Sequence, residues 1–257
     1  MKENKLPLVS ICIPLWERDE HFEKLIKSIK EHDAGIPYEI CIGEGHNSAS
    51  INRNKAMKKA KSNYICQLDG DAEIIQNGWL KKMYDTLISS SEIGIIGCVV
   101  EFPTGKVDHP GTVLINRRDI INKKIDMITA NYDKKYLNEF LKNRIRGMAH
   151  VIEYDPNKDK IDGEVYSVFQ CSGVCFLYDR RITGMFLEIF EKAGWEDVEL
   201  FARVQSMGYQ IMVNGGVRVK HPNHIRTEEE EMLRDPTSER GFNAKNLLEY
   251  MIKWGAL

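Results

Sequence analysis

Over the first hundred residues, short β-branched apolar runs alternate with stretches of helical spacing, and nothing else in the chain constrains the fold as strongly. Residues 8–13 read as a strand ended by Pro14, and 20–32 set Phe22, Leu25, Ile26 and Ile29 along one side of a helix. Residues 38–42 read as a second strand closed by Gly43, 48–61 as a helix with Ile51, Ala56 and Met57 on one side, and 64–68 as a third strand ending at Asp69. A helix over 77–89 and a strand over 93–100 follow. This spacing predicts βαβ units, and runs that are apolar throughout predict strands buried on both faces. The expected class is α/β, a mostly parallel central sheet flanked by helices, with ligands beyond the carboxyl ends of the strands. Pro14 to Arg18, Gly43 to His46 and Asp69 to Asp71 then stand where a ligand would bind.

The 257 residues suffice for one full α/β core. Lys and Arg number 36 against 38 Asp and Glu, a formal charge of −2, so bulk charge gives no reason to expect a nucleic-acid partner. Cys12, Cys41, Cys66 and Cys98 sit inside apolar strand runs, and Cys171 and Cys175 have no second pair to complete a zinc set. Reduced core thiols in a cytoplasmic protein are expected. No stretch approaches the ~18 apolar residues of a membrane span, and Pro7 and Pro14 break the N-terminal apolar run, which does not read as a signal peptide.

Beyond residue 103 the pattern is less regular. Over 134–146, Lys134, Lys135, Lys142, Arg144 and Arg146 oppose Tyr136, Leu137, Phe140, Leu141 and Ile145. This basic amphipathic face is either solvated or a peripheral contact with an anionic membrane or acidic glycan. Strands over 166–169 and 174–178 flank Ser172 and Gly173, a helix runs over 197–207, and strands over 209–213 and 217–220 come last. The tail reads as polar and helical.

Three constellations could carry chemistry. Asp69-Gly70-Asp71 puts two carboxylates at a strand's carboxyl end, a donor set suited to Mn2+ or Mg2+ with substrate phosphates. Trp195-Glu196-Asp197, with Glu199, gathers acids where a helix begins; Glu199 is explained by an i+4 pairing with Arg203, whereas Glu196 and Asp197 are candidates for a general base. His221-Pro222-Asn223-His224 follows a strand, and either histidine is a candidate metal ligand. Trp16 and Trp195 are candidate stacking walls, Trp79 reads as core, and Asp108-His109-Pro110-Gly111 stands where the sheet leads to the far side of the crevice.

Taken in order, these motifs resemble the GT-A-fold glycosyltransferases of the large inverting family 2, over roughly residues 8–221. Residues 9–18, ending Pro14-Leu15-Trp16-Glu17-Arg18, resemble that family's first strand and nucleotide-facing loop. Residues 39–44 resemble its second strand, with Glu44 in place of the commoner terminal Asp that meets the base, and Gly45-His46-Asn47 departs from the family pattern. Arg53-Asn54 resembles the nucleotide-facing Arg-Asn element. Asp69-Gly70-Asp71 is similar to the Asp-x-Asp motif, its first acid near the ribose and its second on the metal. Trp195-Glu196-Asp197 resembles the acceptor-side motif whose acid is the base, His221 matches a histidine that completes the metal site in some members, and Ser172-Gly173 resembles a turn near the donor sugar.

The resemblance implies one domain over 1–257: a nucleotide-binding half over about 8–100, a sugar and acceptor half over about 101–225, and a helical tail over 226–257. It implies a nucleotide-sugar donor, UDP favoured, Mn2+ or Mg2+, and a glycan, lipid-linked or protein acceptor. Asp69 and Gly70, with Pro14, Leu15, Glu17, Arg18, Glu44 and Arg53, would bind the nucleotide; Asp71 and His221 the metal; Asp197 or Glu196 would act as base; and Trp195, Ser172, Gly173 and His109 would line the donor and acceptor pocket. A direct displacement would convert an α-linked donor into a β-product. The alternatives are a non-catalytic nucleotide-sugar-binding module and a sugar nucleotidyltransferase; the latter wants a glycine-rich loop where Pro14 to Arg18 stand.

Overall fold

The computed structural model describes residues 7–105, 107–109, 111–115, 151–154, 163–191 and 194–222. The basic stretch 134–146, His224 and the tail 226–257 lie outside the described residues.

The alternation read from sequence holds. Strand β1 (Val9–Leu15) leads to helix α1 (Glu20–Glu31), β2 (Tyr38–Glu44), α2 (Ala49–Lys59), β3 (Tyr64–Leu68), a short β4 (Glu73–Ile74), α3 (Trp79–Ile88) and β5 (Ile93–Glu101). Then come β6 (Val107–His109), β7 (Thr112–Ile115), β8 (Val151–Tyr154), β9 (Val165–Val168), β10 (Cys175–Asp179), α4 (Arg180–Thr183), α5 (Glu196–Ser206) and β11 (Gln210–Lys220). Among the described residues the main sheet runs β2-β1-β3-β10-β5-β11-β4, with β6 on β5 and β9 on β11; β7 and β8 pair separately.

The sheet is mixed rather than mostly parallel. β2, β1 and β3 are parallel, as are β5 and β11, but β10 lies antiparallel between β3 and β5. A strand's direction is set by the route of the chain before it, which its own apolar run does not record. Pro14 does not end β1; it continues the ladder opposite Gly43, and the two strands first read at the C-terminal end are one strand, β11, with a register shift between Asn214 and Arg218.

Alternate side chains serve two cores. Val9, Ile11, Ile13 and Leu15 of β1 join Phe22, Leu25 and Ile29 of α1 and Trp79, Leu80, Met83 and Leu87 of α3. Cys12 faces the other way, into a core with Ala56 and Met57 of α2 and Leu200, Phe201 and Val204 of α5. Helix α1 starts where Asp19 accepts a hydrogen bond from the Phe22 N–H at 2.9 Å, and Ser48 caps α2 through the Ile51 N–H. All six cysteines are free and buried, as their apolar surroundings suggest, and Trp79 is core. Among the described residues no helix is long and apolar enough to cross a membrane.

Helix α2 packs through Ala56 and Met57 as its spacing suggests, but its buried face is wider than expected. It buries Asn52, Arg53 and Asn54 along with Ala56 and Met57. Each polar group finds partners: Asn52 Nδ2 donates to the carbonyls of Leu15 at 3.0 Å and Gly45 at 2.7 Å, joining the ends of β1 and β2. The Asn54 amide exchanges two hydrogen bonds, both 2.9 Å, with the Phe186 backbone. Burial of such groups is tolerated because they are satisfied.

Candidate active site

A cleft of about 690 Å³ opens where the carboxyl ends of β1 and β3 meet the start of α5. Pro14, Leu15 and Glu17 line it from the end of β1, Asp69, Gly70 and Asp71 from the turn after β3, and Gly173, Glu196 and Asp197 from the C-terminal half; Arg53 reaches it from α2. The turn is held in place by the Asp69 N–H, which donates to the Val174 carbonyl at 2.8 Å, and Ser172 shapes the facing turn by accepting from the Val174 N–H at 3.2 Å.

Asp69, Asp71 and His221 bring their ligand atoms within 4.8 Å of one another, a group of two hard carboxylates and an imidazole. His221 Nε2 lies 3.2 Å from Asp71 Oδ1, and the His221 N–H donates to the Glu101 carbonyl at 2.9 Å, which anchors the end of β11 beside the cleft. Donor chemistry and spacing fit a divalent cation such as Mn2+ or Mg2+. Burial pushes Asp69 up to about 6, with the charge of Asp71 adding to it and Arg53 opposing. Burial also acts on Asp71, but its hydrogen bond to His221 and the His221 charge outweigh this and hold it below its ordinary value.

Trp195 is the one described non-glycine residue with positive φ, at 75°, and Gly194 before it has φ 99°. Two successive left-handed residues turn the chain sharply into α5, and strain of this kind is characteristic of functional sites. The turn delivers Glu196 and Asp197 to the cleft from adjacent positions with different surroundings. Glu196 is 4% exposed, its Oε1 3.5 Å from Arg53 Nε and its Oε2 without a hydrogen-bond partner. Burial pushes Glu196 up to about 7, assisted by the charge of Asp197 and opposed by Arg53. Asp197 is partly exposed, and its Oδ1 accepts the Val198 N–H at 2.8 Å. Glu199 instead pairs with Arg203 at 2.9 Å, as the i+4 spacing suggests.

Several expected residues stand beside the cleft rather than on it. Arg18 and Glu44 pair with each other at 3.3 Å, and neither they nor Ser172, Trp195 and His221 are among the residues that line it. His109 lies on β6 opposite Val100, and its side chain lies outside the described residues. The sequence reading missed His21, Asn47 and Asn52, which also line the cleft. Asn52 has a local signal, the unbroken polar run Asn52-Arg53-Asn54 in a helix that must pack on a sheet. Trp16 lines the cleft with its ring stacked on His46, centroids 4.7 Å apart and planes 6° from parallel.

The family model for glycosyl transferase family 2 matches residues 42–185. The O-antigen biosynthesis protein RfbC of Myxococcus xanthus is 37% identical over 138 residues, covering 42% of this chain and 10% of that protein. A crystal structure of GalNAc-T7 with UDP, GalNAc and Mn2+ superposes with a TM-score of 0.57 at 11% identity, over 85% of this chain and 44% of that one. The mannosyltransferase PcManGT of Pyrobaculum calidifontis, in complex with GDP-Man and Mn2+, gives a TM-score of 0.54 at 12% identity, over 98% of this chain and 65% of that one. The chain thus spans about a tenth of the curated relative it matches and less than two thirds of either solved structure. With more than half of its length matched by the family model, and with the fold of the two solved glycosyltransferases, the chain belongs to glycosyl transferase family 2 and is a glycosyltransferase domain of GT-A fold.

Proposed function

We propose that the chain moves a sugar from a nucleotide-diphospho-sugar, a UDP-sugar being favoured, to an acceptor hydroxyl by metal-dependent direct displacement with inversion. The observation that carries this reading is the convergence of Asp69, Asp71 and His221 within 4.8 Å beside the cleft that Glu196 and Asp197 line. The Mn2+ in both solved neighbours supports a divalent ion here, and their different nucleotides leave the UDP preference to the test.

Asp71 and His221 would hold Mn2+ or Mg2+, with Asp69 beside them. The ion supplies Lewis-acid stabilisation of the leaving diphosphate. Residues 8–100 bind the nucleotide, with Pro14, Leu15, Glu17 and Gly70 along its cleft and the Arg18–Glu44 pair at the base end. Residues 101–225 supply the sugar and acceptor half, with Gly173 on the cleft; Ser172, Trp195 and His109 are assigned to that half by the family resemblance. Asp197 is the base rather than Glu196, because Glu196 is buried against Arg53 while Asp197 has Oδ2 clear of the Val198 N–H. Asp197 Oδ2 takes the acceptor proton; the acceptor oxygen bonds to the anomeric carbon as the bond to the diphosphate oxygen breaks, and the electron pair leaves with the nucleotide. One in-line attack inverts the anomeric centre.

The acceptor is a glycan, a lipid-linked sugar or a protein hydroxyl, and the RfbC likeness favours surface-polysaccharide synthesis. A cytoplasmic location with the basic stretch 134–146 against the membrane suits such an acceptor. Incubation with a panel of UDP- and GDP-sugars and candidate acceptors, with the product read by proton NMR, tests the reading. A β-product from an α-linked donor is expected, and retained stereochemistry contradicts it.

A further inference from the structure

Arg53 is a charged side chain at 4% exposure, and each of its three nitrogens already has a protein acceptor. Nη2 donates to Asp69 Oδ1 at 3.0 Å and to the Gly173 carbonyl at 3.4 Å, Nη1 to Gln67 Oε1 at 3.3 Å, and Nε lies 3.5 Å from Glu196 Oε1. The guanidinium also packs against the rings of Phe176 and Phe186, 5.9 and 5.6 Å from their centroids. Four of its five N–H donors are thus taken up inside the protein, and a nucleotide phosphate bound here would compete with partners that compensate the burial of the charge. What Arg53 joins is more informative: Asp69 begins the turn after β3, Gly173 lies in the facing turn, and Glu196 opens α5. A planar, permanently charged fork is suited to hold several acceptors at fixed separation.

We propose that Arg53 is a positioning residue rather than a nucleotide ligand, and that by gripping Asp69 and Glu196 together it sets the donor end of the cleft against the carboxylate pair at the start of α5. The proposal rests on the glycosyltransferase reading above. Asp197 is the next residue after Glu196, so the hold on Glu196 fixes the first turn of α5 and with it the position of the base. The orphaned Oε2 fits this arrangement: Glu196 is held through Oε1 from the Arg53 side, while its second oxygen is buried without a hydrogen-bond partner. A misplacement of about 1 Å in such a site lowers the rate on the order of a hundredfold without requiring any loss of binding.

The test uses Arg53→Lys, which keeps the charge but loses the fork, together with Glu196→Gln and the double variant. Calorimetry measures the affinity for UDP and for GDP with Mn2+, and nucleotide release from the best UDP- or GDP-sugar gives kcat. In Arg53→Lys, diphosphate affinity should stay within about threefold of wild type while kcat falls about 10- to 100-fold. Glu196→Gln should show the same split, and the double variant should lose no more than about threefold beyond the worse single, because one linkage is broken twice. Diphosphate affinity lost with kcat kept would make Arg53 a nucleotide ligand and overturn the proposal, as would multiplicative losses in the double variant. Should Arg53→Lys fail to fold, Arg53→Gln takes its place and is read by the same split. Wild-type protein that binds neither diphosphate with Mn2+ would overturn the glycosyltransferase reading itself, an outcome separate from failure of the split.

Discussion

Gly173 and Asp197 are in contact that only glycine permits: a Cβ built on Gly173 would lie 2.0 Å from Asp197 Oδ2. The same oxygen is the one left clear of the Val198 N–H and assigned the acceptor proton. Gly173→Ala should therefore push the carboxylate aside. Crowding of this kind costs about 1–3 kcal/mol, so the variant should melt at a lower temperature and release nucleotide from a donor more slowly, while still binding UDP or GDP with Mn2+. Unchanged turnover would show that Oδ2 is not where the proton goes.

Asp197→Asn removes the basic oxygen with little change of shape. Its kcat should fall about 10²–10⁴-fold, the usual worth of a general base, with donor affinity retained. Calorimetry alongside turnover measures both, and a variant with near-normal kcat would shift the role to Glu196.

Trp16 lines the cleft with one face on His46, which suits an aromatic wall for the nucleobase. Trp16→Ala should weaken UDP or GDP binding by about 0.5–1.5 kcal/mol, the worth of one aromatic stack. Equal affinities in variant and wild type would remove Trp16 from the nucleotide site.

Much of this architecture is legible in the sequence, and what is not has an identifiable cause. Apolar runs and helical spacing report burial of apolar surface, so β1, β2, β3, β5, α1 and α3 appear near their observed positions. The Asp69, Asp71 and His221 group was legible because each residue follows a strand end, where this topology gathers ligands. Helix α2 and its buried Ala56 and Met57 are legible too, but the burial of Asn52, Arg53 and Asn54 beside them is not. The partners that satisfy that face lie far along the chain, Glu196 for Arg53 and the Phe186 backbone for Asn54, and no local pattern reports them. The antiparallel placement of β10 and the Arg18–Glu44 pairing are likewise tertiary facts.

Glu196 also makes stability depend on pH. Its folded value, pushed up to about 7 by burial, lies above the ordinary 4.5, so the folded protein binds this proton more tightly than the unfolded chain. Stability from this group is full below 4.5 and is lost as pH rises through about 7. Glutamine has no such proton, and the contribution of Asp69 to first order cancels between the two proteins. With EDTA present, the melting temperature of Glu196→Gln relative to wild type should rise across that window and level off above it. A difference independent of pH would mean that Glu196 is not proton-linked to folding.

The most direct test of the central claim is nucleotide release from a UDP- and GDP-sugar panel, comparing wild type with Mn2+, wild type with EDTA, and Asp71→Asn with Mn2+. The account predicts hydrolysis of at least one donor by wild type with Mn2+, and its near-complete loss both with EDTA and in the variant. Release that survives EDTA and the loss of the Asp71 carboxylate would contradict it.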